Sequence, residues 1–225
     1  MTTLTLIIGN KNYSSWSLRP WIFMKQMGLA FNEKRVALFT ETMDQELEQY
    51  HSDYKVPILT DDGFIVWDSL AIVEFVSEKY LDNKGWPADL AARAEARAVS
   101  AEMHSSYINV RSEMPMNCRK IFSNIKLSPQ AEKEVERITA VWRYFRRKYA
   151  DGGDWLFGEY SIADAMFAPI VLRFHGHSIP LKEIEAEYCQ TVLGQSHIME
   201  WIEAGKQETE IIEADELDAS EFQVV

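Results

Sequence analysis

The sequence predicts an α/β layer followed by an all-α region. Three observations carry this. Strand-like and helix-like runs alternate up to about residue 80, a polar stretch holding Gly85 and Pro87 follows, and strand signals largely vanish beyond it.

The elements follow in order. Thr3 to Ile8 is a short β-rich run, and Gly9 to Tyr13 is a polar loop. From Ser15 to Met27 the apolar Trp16, Leu18, Trp21, Ile22, Phe23 and Met27 recur at helical spacing, with Gly28 where a C-cap belongs. Phe31 to Leu38 reads as a second strand, and Glu41 to Tyr50 as a charged, mostly exposed helix. Val56 to Leu59 is a third strand; Asp61-Asp62-Gly63 then signals a tight turn into Phe64 to Trp67. Asp68 to Leu81 is helical again. Two strands joined by a turn make the second half of the sheet antiparallel.

Residues 81–88 hold Asp82, Asn83, Lys84, Gly85 and Pro87 and form the best linker in the chain. Domains are therefore expected at 1–82 and 88–206, with an acidic tail over 207–225. In the second domain, Ala91 to about Met114 is Ala-rich and helical. Ser128-Pro129 caps and opens a helix running to about Tyr149, where Asp151-Gly152-Gly153 breaks it. Ser161 to Phe174, Glu183 to Gln190 and Gln195 to Gly205 are further helices. The tail carries seven acidic residues and no basic one, and reads as a frayed, solvated end.

Composition excludes several classes of function. The chain has 225 residues, with 23 Lys plus Arg against 35 Asp plus Glu, a formal charge of -12. Nonspecific nucleic-acid binding needs a basic footprint, and docking on an anionic membrane needs positive charge. Cys118 and Cys189 form no CxxC pair, so neither a disulfide framework nor a structural zinc site is expected. The N-terminal run lacks a basic flank and stops at Gly9, and no apolar stretch is long enough to span a bilayer. The expectation is a soluble protein of a reducing cytosol, without bound metal.

Three features of the first domain carry chemistry. In Asn12-Tyr13-Ser14-Ser15-Trp16-Ser17-Leu18-Arg19, serines stand where the first strand meets the first helix. Ser14 or Ser15 can cap that helix. The same geometry suits an anion, because a helix N-terminus carries partial positive charge and a hydroxyl can donate to a thiolate. In Lys55-Val56-Pro57, a proline opens a short strand. It is either a trans residue at a sheet edge, or a cis residue that turns the Val56 backbone out to pair with an extended peptide. In Trp67-Asp68-Ser69, the start of a helix offers an acceptor for an ammonium and donors for a carboxylate, as an α-amino acid requires.

Those motifs in that order, ahead of an all-α domain, resemble the cytosolic glutathione transferase family over about residues 1–205. Ser161-Ile162-Ala163-Asp164 adds a capping box similar to a helix-start motif of that family, with a role in folding. The resemblance implies a thioredoxin-like N-terminal domain followed by an all-helical electrophile-binding domain. Glutathione is the implied co-substrate: its cysteinyl backbone beside Val56 and cis-Pro57, its γ-glutamyl head at Asp68 and Ser69, its thiol at the first helix. Tyr13, Ser17 and Arg19 are implied neighbours of glutathione, and Ser14 or Ser15 the catalytic donor, Ser14 preferred by the zeta-like register, with Tyr13 the rival. The serine motif is most similar to the zeta class, which includes maleylacetoacetate isomerase, although Trp16 stands where that class has cysteine and Leu18 where it has tryptophan. The absence of a cysteine at this helix start argues against thiol–disulfide chemistry. His104, Tyr107 and Arg111 are the candidate wall for a small electrophile. His104 and Arg111 are spaced to share a helix face, and Arg111 suits an acidic substrate. The resemblance implies a homodimer. The expected activity is attack of an activated thiolate on an electrophile. The alternatives are glutathione-dependent cis–trans isomerisation and a noncatalytic binding protein on the same fold.

Overall fold

The computed structural model describes residues 4–123 and 125–217, and the backbone of 223 and 224. Strands β1 (Thr5–Ile8), β2 (Asn32–Arg35), β3 (Ile58–Asp61) and β4 (Phe64–Trp67) form one sheet in the order β2-β1-β3-β4. β2 runs parallel to β1, whereas β3 and β4 are antiparallel. Leu6 and Ile8 of β1 and Leu59 of β3 belong to the main core, which continues through helix α1 (Ser15–Gln26) and helix α3 (Ser69–Tyr80). Ile7 and Ile58 point to the other face and meet Leu47 of helix α2 (Met43–Leu47). This is the thioredoxin-like layer.

The rest is helical: α4 (Leu90–Ser105), α5 (Ile108–Glu113), α6 (Pro129–Lys148), α7 (Ile162–Gly176), α8 (Glu183–Leu193) and α9 (Ser196–Lys206). Helix α7 is its axis, because every residue from Ile162 to Phe174 is buried. It packs against α1, so one apolar core runs from the sheet through Leu18 and Phe23 into Met166, Phe167 and Trp142. The helical region carries one addition, a short antiparallel ladder between β5 (Phe122–Ser123) and β6 (Gln223–Val224).

Two expectations need correction. The helix read from Ala91 to Met114 breaks at Tyr107, whose φ of 63° no α-helix accommodates. A carboxylate from α6 restarts the chain as α5: Glu134 accepts from Val110 N at 2.8 Å and from the Asn109 side chain at 2.7 Å. Nor is the acidic tail frayed over residues 208–216, although Thr209, Ile211, Glu213 and Ala214 stay exposed. Glu208 accepts from the backbone N–H groups of Lys11 (2.8 Å) and Asn12 (3.0 Å), while Arg35 holds Glu210 at 2.7 Å. Glu216 takes bonds from Tyr13, Asn117 and Lys120. The cations and amides that neutralise this segment come from distant parts of the chain. Asp218 and Glu221 of the tail lie outside the described residues.

Candidate active site at the start of helix α1

Helix α1 begins without a side-chain cap. Ser14 occupies the N-cap position, yet its hydroxyl makes no capping bond. It donates instead to Ser17 Oγ at 2.8 Å, and Ser17 Oγ also accepts from Gly9 N at 3.1 Å. Both serines are buried, so they fasten the end of β1 to the first turn of α1. Ser15 N reaches Tyr13 O, and Leu18 N reaches Ser14 O. Between them, the N–H groups of Trp16 and Ser17 have no protein acceptor among the described residues.

Ser15 differs from Ser14. It is partly exposed, and its Oγ accepts a hydrogen bond from Arg173 Nη2 at 3.1 Å. Tyr13 is committed elsewhere: its hydroxyl donates to Glu216 Oε1 at 2.5 Å and accepts from Arg119. Burial, and then the Glu216 carboxylate, push its phenol above the ordinary range.

The second and third motifs meet in one cavity. The Val56–Pro57 peptide bond is cis, and the β3 ladder starts only at Ile58. Val56, Pro57, Asp68 and Ser69 line a cavity of about 440 Å³ together with Trp16, Ser52, Lys55 and Trp67. Asp68 caps α3 through Oδ1, which accepts from Leu70 N (2.9 Å) and Ala71 N (3.2 Å). Its Oδ2 faces His104 Nε2 at 3.0 Å. Ser69 is buried, and Arg19 Nη1 donates to its hydroxyl at 3.4 Å.

Positive charge gathers behind this cavity. The Arg19 guanidinium lies 4.3 Å from the centre of the Trp16 ring and that of Arg111 lies 4.7 Å from it, with His104 at the ring edge. Arg19 and Arg173 are buried, and burial followed by the nearby Arg111 charge lowers both, Arg173 to about 10. His104 is pushed down by burial and by Arg19 and Arg111, against the opposing pull of Asp68. Of the predicted electrophile wall, His104 and Arg111 both reach Trp16. Tyr107 is buried instead, and its hydroxyl donates to Glu102 at 2.6 Å.

Sequence reasoning did not single out Trp16 and Trp67, which line the cavity, or Arg173, which bonds Ser15. A lone cation in the apolar run from Ala165 to Phe174 was the available signal for Arg173. Among the described residues, no group of His, Cys, Asp and Glu can hold a metal ion, and no helix is long and apolar enough to cross a membrane.

Residues 13–79, which contain all three motifs, match the family model for the glutathione S-transferase N-terminal domain. Over this stretch the chain is similar to a glutathione S-transferase N-terminal domain. The chain is 28% identical over 177 residues to a probable maleylacetoacetate isomerase of Caenorhabditis elegans, covering 74% of this chain and 77% of that one. It is 36% identical over 77 residues to glutathione S-transferase theta-2 of Mus musculus, a match spanning 33% of this chain and 32% of the relative. A glutathione transferase homologue from Burkholderia, solved with bound glutathione, superposes with a TM-score of 0.68 at 21% identity, over 92% of this chain and 99% of that one. The glutathione S-transferase fold therefore extends over both regions.

Proposed function

We propose that this protein is a glutathione transferase that binds glutathione in the cavity between cis-Pro57 and Asp68 and ionises its thiol at the start of α1. The observation that carries this reading is the convergence of Val56, Pro57, Asp68 and Ser69 on one cavity whose wall is Trp16 of α1. The Val56 backbone pairs with the extended cysteinyl unit. Asp68 accepts from the γ-glutamyl ammonium, and the start of α3 with Ser69 receives its carboxylate. Arg19 behind Ser69 favours that carboxylate further.

Thiol activation follows from chain groups alone. A free thiol titrates at about 8.5, and lowering it by two units takes about 2.7 kcal/mol. A hydroxyl donating to an anion supplies about 1.5–3 kcal/mol and a helix N-terminus up to about 1. Ser15 suits the donor role better than Ser14, because the Ser14 hydrogen is directed at Ser17 while Ser15 Oγ, among the described residues, acts only as an acceptor. The thiol proton leaves to water. The thiolate then forms a sulfur–carbon bond to the electrophile as the leaving group departs with its electron pair. With a conjugated double bond it adds reversibly, and rotation followed by loss of the thiolate gives isomerisation. The likeness to a maleylacetoacetate isomerase favours that second outcome as an alternative.

Calorimetric titration with glutathione, alongside assays with chlorodinitrobenzene and a cis-enone diacid, tests this reading. Asp68→Ala is expected to weaken glutathione binding about 10- to 100-fold, the loss of a charge-assisted contact. Unchanged binding in that variant contradicts the assignment of the head group.

A further inference from the structure

We infer that Arg173 of α7 is the positioning residue of the thiol site: it orients the Ser15 hydroxyl toward the bound sulfur and supplies the positive charge that sustains the thiolate. This rests on the reading that glutathione binds with its thiol at the start of α1.

The geometry is direct. Arg173 Nη2 lies 3.1 Å from Ser15 Oγ. Its other terminal nitrogen, Nη1, is held by Arg111 O at 3.0 Å and by Met114 O. A guanidinium offers only donors, so Ser15 Oγ must accept from it. A hydroxyl has a single hydrogen, and in Ser15 that hydrogen must point away from Arg173. No protein acceptor takes it among the described residues. Ser14 shows the contrast, since its hydrogen is directed at Ser17. Arg173 thus sets Ser15 as a donor toward the helix start, where the Trp16 and Ser17 amides also lack protein acceptors.

Charge supports the same role. Arg173 is 7% exposed, and among the described residues it makes no ion pair with a carboxylate. A buried cation is costly unless a counter-charge accompanies it. Two carbonyls satisfy its hydrogens without neutralising its charge. The charged groups acting on it are Arg111, which adds to the positive field, and Asp215 of the folded-back tail, which opposes it. Arg19 completes the cluster on the α3 side, with Asp68 and His104 facing it. A thiolate at the α1 start is the negative charge this cluster is built to receive. When the bound thiol ionises, its proton passes to water and the charge stays on sulfur beside Ser15 and Arg173.

The test uses the full-length protein and glutathione, reading thiolate ultraviolet absorbance against pH with binding followed by calorimetry. Arg173→Gln is expected to raise the bound thiol's pKa by about one unit or more, as loss of a nearby opposite charge does, while glutathione affinity at low pH stays within a few-fold. Arg173→Lys keeps the charge without the fork and falls between. Adding Ser15→Ala to Arg173→Gln is expected to cost less than the sum of the single changes, because the two act as a unit. Asp215→Asn, in the half-buried turn of the tail, is expected to move the thiol the opposite way, to lower pKa. A purely structural Arg173 lowers thermal stability without moving the thiol pKa, and that result overturns the inference. If Arg173→Gln fails to fold, Asp215→Asn decides: no downward shift overturns it. In either case a wild-type thiol that is depressed leaves the proposed function standing, whereas a wild-type thiol titrating at its free value overturns both.

Discussion

Serines head both of the helices that pack together at the middle of this molecule, and they do opposite things. Ser161 at the start of α7 belongs to a closed set. Asp164 Oδ2 accepts from Ser161 N at 2.9 Å and from its hydroxyl at 3.1 Å, while Oδ1 accepts from Leu156 N and Tyr188. Ser14 at the start of α1 makes no cap, its neighbour Ser15 is held by a buried arginine, and two amides face no protein acceptor among the described residues. At α7 the negative charge is part of the fold; at α1 the surroundings are positive. A serine before a helix therefore says little by itself. What separates the two starts is that the α7 serine meets a carboxylate of its own helix and the α1 serines do not.

Removing the carboxylate at α7 should produce the largest effect. Asp164→Ala strips four hydrogen bonds from a buried site and should cost about 3–5 kcal/mol in denaturant unfolding, with no specific effect on thiol ionisation. A loss under about 1 kcal/mol breaks the contrast between the two starts. The same carboxyl makes a pH prediction. Burial raises it from 3.8 to about 6 despite its hydrogen bonds, so the folded state holds this proton more tightly than the unfolded chain. Its contribution to stability is then full below the unfolded value and lost as pH rises through about 6. Asp164→Asn should flatten the stability profile across that window, which unfolding at a series of pH values will reveal.

At α1 the sign of the effects reverses. Ser15→Ala should leave stability within about 1 kcal/mol but reduce kcat/KM at neutral pH about 10- to 100-fold, from an anion-directed hydrogen bond worth about 1.5–3 kcal/mol. Ser14→Ala should do the converse, costing about 1 kcal/mol of stability with turnover changed only a few-fold. If the two phenotypes are exchanged, Ser14 is the donor. The smallest effect is expected at the acidic tail. Glu208→Gln retains one acceptor for Lys11 N and Asn12 N but loses the charge facing Arg35, for about 0.5–1 kcal/mol. Hydrogen exchange should quicken at those two amides while remaining unchanged at the start of α7.

Features written in local patterns were legible beforehand. The β3–β4 hairpin follows from Asp62-Gly63, where both residues take positive φ (50° and 85°). The end of α1 follows from Gly28, which sits at φ 71°. Ser128 caps α6 by accepting from Ala131 N at 3.1 Å, as its place before Pro129 implies. Motif residues Val56, Pro57, Asp68 and Ser69 were readable because each sits at a junction where its residue type matters. What escaped was set by contacts across long stretches of chain. Arg173 meets Ser15 across 158 positions, and Glu208 meets Lys11 across 197. Tyr107 has helical neighbours on both sides, and the Glu134 carboxylate that receives the restarting chain lies on another helix. Trp16 sits among the apolar positions of α1, and nothing local says that three cationic or imidazole side chains gather on its ring.

The most direct test of the contrast is an ultraviolet difference titration of the wild-type protein saturated with glutathione, repeated with Ser15→Ala. The bare, positively surrounded start of α1 predicts thiolate absorbance appearing at least one pH unit below the free thiol, and a return toward the free value in the variant. A bound thiol that titrates at or above its free value in the wild-type protein contradicts the account.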